Sequence, residues 1–232
     1  MGEYGQFCPV AKAAEVLDQR WTLLVIRELV TGSTRFNDIH RGVPRMSRSL
    51  LSKRLNSLVG EGLVERREGD HGPEYILTPA GQELEQVIEV IGSWGIRWPG
   101  HLSDHDLDPA LLVWDMHRRV DPDAIPPRRT VLGLTFHGVT PEERDWWLVL
   151  EPEAVDVCEH DPGFGTDLHL ETPLHTMVGI WRGELGWNDA VRSGDLRFEG
   201  PSTLRRAVPT WFLLSPFATV ERPPANRPDG RT

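Results

Sequence analysis

The sequence predicts an α+β chain of two folded domains, and three observations carry that prediction. Apolar residues recur at helical spacing through short segments between positions 21 and 62, with turn residues between them. Apolar and polar residues then alternate one by one after position 62 and again from position 131, the period of half-buried strands. Polar stretches at 100–108 and 122–129 stand between the two patterns. With 232 residues and 39% hydrophobic content the chain can build two modest cores. The expected limits are 1–98 for the first domain, 99–218 for the second and 219–232 for a disordered tail, too polar and proline-rich to pack.

In the first domain, residues 21–30 are apolar almost all round, as in a helix at the centre of a small bundle, and Thr31, Gly32 and Ser33 stop it. A short segment follows in which Phe36 and Ile39 can face the core and residues 42–44 make the break. Ser47 is then a plausible N-cap for a long helix over 47–62. Leu50, Leu51, Leu55 and Leu58 form its apolar face, while Arg48, Ser49, Ser52, Lys53 and Asn56 fall elsewhere on the wheel. Two helices and a tight turn ahead of a long helix is helix-turn-helix order. Residues 62–68 and 74–77 read as strands around a turn at 69–73, a hairpin placed as a wing. Thr78 and Pro79 open a further helix through Leu84, Val87, Ile88 and Ile91.

The long helix offers hydroxyls and cations, the groups that bond phosphates and reach base edges, and no acid occurs between Arg41 and Gly60. An ordinary solvated amphipathic helix shares part of that pattern. Position of charge separates the two. The formal charge is −10 overall, but residues 1–100 hold 12 cations against 13 acids and residues 101–232 hold 13 against 22, so −9 lies in the second part. Within 35–60 there are six cations, Arg35, Arg41, Arg45, Arg48, Lys53 and Arg54, against Asp38 alone. Such a local field on a near-neutral domain suits a selective binder of a polyanion better than a general coat protein.

These residues carry a family resemblance. Cys8-Pro9-Val10, Arg20 to Leu24, Arg35 to Ile39, Ser47 with Leu50 to Leu55, Glu61 to Val64 and Tyr75 to Gly81 resemble the HxlR-type winged-helix regulators, relatives of the MarR group. The family's usual Gly-Lys before the tryptophan is Gln19-Arg20 here, which keeps the cation and loses a glycine. The resemblance implies a homodimer paired through its first and last helices, with a recognition helix from each subunit in successive major grooves of a near-palindromic operator. Ser47, Arg48, Ser49, Ser52 and Lys53 are then the expected groove and phosphate contacts, with Arg54 as phosphate support if it faces outward. Arg66, Arg67 and His71 would place the wing on the flanking backbone or minor groove. The resemblance also makes Cys8 a candidate redox thiol, since some relatives sense oxidants or electrophiles with a cysteine at the matching position. Its place before Pro9 puts it at a helix start, where amides stabilise a thiolate; a capping or packing residue is the alternative.

In the second domain, residues 108–120 read as a helix, with Leu112, Trp114 and Met116 among its apolar members. Leu132, Leu134 and Phe136 mark one strand, Trp147 and Val149 or their neighbours a second, Val155 and Val157 a third, Leu168 and Leu170 a fourth, and Leu196 and Phe198 a fifth. Thr172-Pro173 reads as a cap and proline start for a helix with Leu174, Met177, Val178 and Trp181 on one stripe; two more helices are expected at 186–194 and 200–211. The result is a sheet with helices on one face. Asp167 to Leu170, Leu174, Gly183 to Leu185, Ala190 and above all Gly194 to Pro201 resemble the sterol-carrier-like lipid-binding domain. That resemblance implies an apolar ligand between sheet and helices, with Leu134, Phe136, Trp147, Leu168, Leu170, Met177, Trp181, Phe198 and Trp211 as candidate pocket walls. A filled core with no cavity, or a dimerising domain, accounts for the same pattern.

Other chemistry finds no carrier. His101, Asp104, His105, Asp106 and Asp108 lie in a connection without the helix or hairpin that fixes ligand spacing, so no metal site is assigned. Neither a G-x-S-x-G elbow nor a G-x-G-x-x-G turn occurs, no catalytic constellation is found and no cofactor is expected. Cys158 reads as a small apolar strand residue. No apolar run approaches the roughly 20 residues of a membrane span, the start lacks a secretion signal, and two distant cysteines make no disulfide framework. The expectation is a cytoplasmic, non-enzymatic regulator that binds double-stranded DNA as a homodimer under the control of an apolar small molecule. The alternative is a lipid or small-molecule carrier whose winged helix mediates protein contacts, which the acid-free recognition segment disfavours.

Overall fold

A computed structural model describes residues 4–99 and 102–223, and the chain divides into two compact units, Met1–Trp94 and Gly95–Thr232. Unit one runs α1 (Pro9–Leu17), α2 (Thr22–Val30), α3 (Phe36–Arg41), α4 (Arg48–Gly60), β1 (Val64–Gly69), β2 (Gly72–Leu77), α5 (Pro79–Gln82) and α6 (Leu84–Arg97). Its core is Val25, Ile26, Ile39, Met46, Leu51, Leu55, Leu58, Val64 and Tyr75, all buried. Each such side chain contributes about 1.5–3 kcal/mol on leaving water. α1 alone buries none of its own residues. Chain entry into α2 is strained: Trp21 adopts a left-handed φ of 79°, uncommon for an aromatic residue. Arg20 stacks on its ring at 5.4 Å, and Arg54 Nη2 donates to the Arg20 carbonyl at 3.2 Å.

Two polar clamps set the helix-turn-helix angle and the wing. The side chain of Glu28, wholly buried, accepts from Arg27 Nη2 at 2.7 Å, and the same nitrogen donates to the Gly42 carbonyl at 2.7 Å. α2 is thereby tied to the end of α3. Gly42 has to be glycine because a Cβ there would lie 1.8 Å from Glu28 Oε2. At the other end, Thr78 Oγ1 donates to the Gly62 carbonyl at 2.7 Å and accepts from Gly81 N–H at 3.2 Å, so one hydroxyl joins the end of α4 to the start of α5. The expected single helix after Pro79 is interrupted at Glu83, which caps α5 before α6 begins. β1 and β2 pair antiparallel from Val64↔Leu77 to Gly69↔Gly72, as the alternation predicts.

Unit two begins with α7 (Pro109–His117), capped by Asp108 accepting from Leu111 N–H at 3.1 Å. Five strands follow, β3 (Thr130–His137), β4 (Asp145–Glu151), β5 (Ala154–Cys158), β6 (Leu168–Pro173) and β7 (Arg197–Glu199), with α8 (Leu174–Trp181) and α9 (Trp187–Ser193) before β7 and α10 (Ser202–Ala207) after it. The sheet order is β5-β4-β3-β6-β7, parallel between β3 and β6 and antiparallel elsewhere. Leu132, Leu134, Phe136, Trp146, Leu148, Leu150, Leu168 and Leu170 share one face and form a single core with Met116, Leu174, Met177, Ile180, Trp181 and Trp211 from the helical side. The other face is mixed, with Val131 and Val149 buried beside polar residues. There Thr135 Oγ1 gives its one proton to Asp145 Oδ1 at 2.6 Å, so the 3.0 Å contact with His169 Nε2 has the imidazole as donor.

Two expectations are corrected here. Thr172 and Pro173 belong to β6; Pro173 is the N-cap of α8 and no side chain caps that helix, because the strand ladder to Phe136 and His137 holds both residues extended. Trp147 is not on the core face: with Trp146, Leu148 and Leu150 in the core, alternation turns it to the other face, opposite Gly133. Unit two closes on the turn after its own α7, as Leu213 N–H donates to the Arg119 carbonyl and Asp121 N–H to the Trp211 carbonyl, both at 2.8 Å. Of the expected tail, Arg222 donates to the Arg182 carbonyl at 2.6 Å, while 224–232 lie outside the described residues. Among the described residues no helix is long and apolar enough to cross a membrane.

Candidate nucleic-acid interface

α4 has the division of labour its sequence predicts. Ser47 caps it, its hydroxyl accepting from Leu50 N–H at 3.3 Å, and Leu51, Leu55 and Leu58 lock it into the core. Ser47, Arg48, Ser49, Ser52, Lys53 and Asn56 are exposed. Lys53 has no ion-pair partner among the described residues. Arg48 is held from behind, donating to Asn37 Oδ1 and lying 5.2 Å over the Phe36 ring. Its guanidinium is thus oriented by α3, a role for Asn37 and Phe36 that sequence reading missed. The available signal was their place in the first turn of the preceding helix.

Arg54 does not face outward and is withdrawn as a phosphate contact. It is 8% exposed and, three residues after Leu51 and four before Leu58, sits on the buried stripe, where it ties α4 to the turn before α2. On the wing, Arg66 pairs with Glu68 at 3.2 Å and Arg67 with Glu65 at 2.6 Å; His71 stands exposed at the turn. The hydrogen bond from Arg67 holds the Glu65 carboxyl below its ordinary range and raises the guanidinium in return. Exposed pairs of this kind are screened by water and contribute little, so a phosphate can take over either arginine.

The remaining candidates scatter. Leu134, Phe136, Leu168, Leu170, Met177, Trp181 and Trp211 are packed in the core of unit two, and Phe198, half-buried, lines an open groove instead. Asp104, His105 and Asp106 form one turn of 3-10 helix closed by a Ser103–Asp106 capping box, and His101 lies outside the described residues. Among the described residues no group of three or more His, Cys, Asp or Glu is arranged to hold a metal. Cys8 is the N-cap residue of α1, half-buried, and makes no side-chain capping bond. The ammonium of nearby Lys12 is bound to Glu15 at 2.9 Å.

Three helices, the last exposing a basic face, followed by a two-stranded hairpin, define unit one as a winged helix-turn-helix domain. The family model for the HxlR-like helix-turn-helix matches residues 16–103. The HTH-type transcriptional regulator YvaP of Bacillus subtilis is 34% identical over 111 residues, which is 46% of this chain and 95% of that one. An HTH-type regulator of Mycobacterium tuberculosis is 42% identical over 119 residues, 44% of this chain and 73% of the relative, and one from Methanothermobacter thermautotrophicus is 29% identical over 104 residues, 44% and 79% respectively. The chain belongs to the HxlR-like helix-turn-helix family.

Proposed function

We propose that this chain is a sequence-specific DNA-binding transcriptional regulator that places α4 in the major groove and the β1–β2 hairpin on the flanking backbone. The observation that carries the reading is α4 itself. One face is fixed in the core, and the other exposes Ser47, Arg48, Ser49, Ser52 and Lys53 on a helix without an acid. Arg66, Arg67 and His71 serve the wing. A homodimer on a near-palindromic operator fits the apolar surface that unit one leaves uncovered: α1 buries nothing, Phe7 and Val10 at its start are exposed, and so are Val90, Ile91 and Trp94 at helical spacing on α6.

For unit two we propose a sterol-carrier-like effector domain, with working limits of 1–98 and 99–218 for the two domains. The sheet with its helices on one face supports this, as does the Gly194 to Pro201 segment, where a left-handed glycine ends α9, a strand follows and a proline leads into α10. A small molecule bound there shifts DNA affinity only by its differential affinity for two arrangements of the dimer. No step of this role is catalytic.

Footprinting with a salt series on DNA upstream of the chain's own gene and its neighbours tests the reading. A protected inverted repeat with a steep salt slope, about 0.9 per neutralised phosphate, is the expected result. Equal, weak binding to all DNA would remove it and favour the carrier alternative. Cys8, with Lys12 committed to Glu15, is expected to alkylate slowly, and Cys8→Ser to bind and release DNA normally. Fast alkylation accompanied by DNA release would make it a sensor instead.

A further inference from the structure

Most arginines of unit two are engaged within it. Arg118 pairs with Asp115, Arg128 with Asp167, Arg129 with Glu151, Arg192 with Asp189, and Arg182 and Arg222 both meet Glu184. Arg197, Arg205 and Arg206 are different: they have no ion-pair partner among the described residues, and all three line one open groove beside α9, β7 and α10. The groove has a volume of about 700 Å³, within the range of small-molecule sites. Glu199 is the single acid among its lining residues, so a local positive excess sits on the part of the chain that carries −9. Its apolar wall is Trp187, Leu196 and Phe198. The Trp187 and Phe198 rings lie nearly parallel, 19° apart in plane with centroids 6.5 Å apart.

We propose that this groove binds a small aromatic carboxylate, its ring against Trp187 and Phe198 and its carboxylate on Arg205 and Arg206, with Arg197 at the rim. Guanidinium forks match carboxylates two bonds at a time and also stack on flat rings, so the three cations and the aromatic wall select the same class of molecule. A positive groove rejects amines, and an aromatic wall gives little to a small inorganic anion. The inference rests on reading unit two as an effector domain, and assigns the effector's chemistry and its seat. That seat is outside the sheet–helix interior, where Leu134, Phe136, Leu168, Leu170, Met177 and Trp211 already fill the space.

Calorimetric titration of the full chain with 2-naphthoate, its neutral analogue 2-naphthamide and the cation 2-naphthylmethylammonium tests the assignment. One naphthoate should bind per chain, the amide about 10-fold or more weakly and the amine not at all, because a charge-assisted bidentate contact is lost. Arg205→Gln/Arg206→Gln, with an unchanged circular dichroism spectrum, should lower naphthoate affinity by a similar factor and leave the amide alone. Equal binding of acid and amide, unaffected by the double variant, would overturn the groove assignment while an apolar effector elsewhere in unit two stands. Binding of none of the three would overturn the assignment, and a footprint from the same preparation shows whether the regulator reading survives it. Loss of operator affinity in the ligand-free double variant would also overturn it, by moving these arginines onto DNA phosphates.

Discussion

Arg48→Glu/Lys53→Glu is expected to weaken operator binding by at least about 30-fold, since each cation contributes roughly 1–3 kcal/mol if it reads a base and each reversal adds repulsion from phosphate. Both side chains are exposed on α4, and neither takes part in the core formed by Leu51, Leu55 and Leu58, so the variant should fold as the parent does. Arg48 carries a further consequence. Because Asn37 accepts from its guanidinium and Phe36 lies beneath it, the side chain is oriented before DNA arrives. Asn37→Ala should therefore weaken binding in the parent and have little effect once Arg48 is already glutamine. Fluorescence anisotropy on the footprinted site measures both. Undiminished affinity in the double reversal would move the contact surface off α4.

Glu28→Ala is expected to destabilise unit one by about 2–4 kcal/mol, somewhat less than the roughly 3–5 of a wholly buried ion pair. The carboxylate is fully enclosed, but its partner Arg27 retains about a quarter of its side-chain exposure (27%) and can turn to water when the carboxylate is gone. Loss of the carboxylate empties the space that Gly42 leaves by having no Cβ, and frees the guanidinium that bridges α2 to the Gly42 carbonyl. Glu28→Gln, which keeps the shape without the charge, should lose roughly half as much. Urea denaturation followed by circular dichroism reads the difference. A midpoint unchanged in Glu28→Ala would show that the α2–α3 angle is set by apolar packing alone.

What could be read from the sequence follows the reach of each physical signal. Ser47 and Thr78 were legible because capping is local: the hydroxyl, the bonded amide and the helix start lie within four residues. The five strands were legible because a two-residue period survives in any sheet with one apolar face. Arg54 was not, since its charge points to solvent while its spacing from Leu51 and Leu58 places it inside, and the carbonyl that accepts from it belongs to Arg20, 34 residues away. The candidate pocket failed for another reason. Alternation identifies a face and says nothing about whether the space beyond it is filled, so seven of the nine named walls are core. The groove lies instead where α9 and α10 flank an edge strand, and the Arg205-Arg206 pair, with no acid between Glu199 and Glu221, would have been its sequence signal.

The place of β3 in the middle of its sheet fixes an order of assembly. β4 can fold back on it, and β5 on β4, as hairpins as soon as they are made, but the parallel ladder waits for β6, whose Leu168 pairs with Leu132 from 36 positions on. Trp211, wholly buried in the same core, arrives later still, and the bonds from Leu213 and to Trp211 then fasten the strand-first half to the turn after α7. Unit one has long closures of its own, with Tyr75 N–H donating to the Thr34 carbonyl and Arg54 to that of Arg20, but all of its residues are synthesised before β3. Contacts of long separation form slowly because loop closure precedes any reward. On the ribosome, therefore, unit one is complete before unit two, whose sheet stays open and aggregation-exposed until synthesis has passed Leu214.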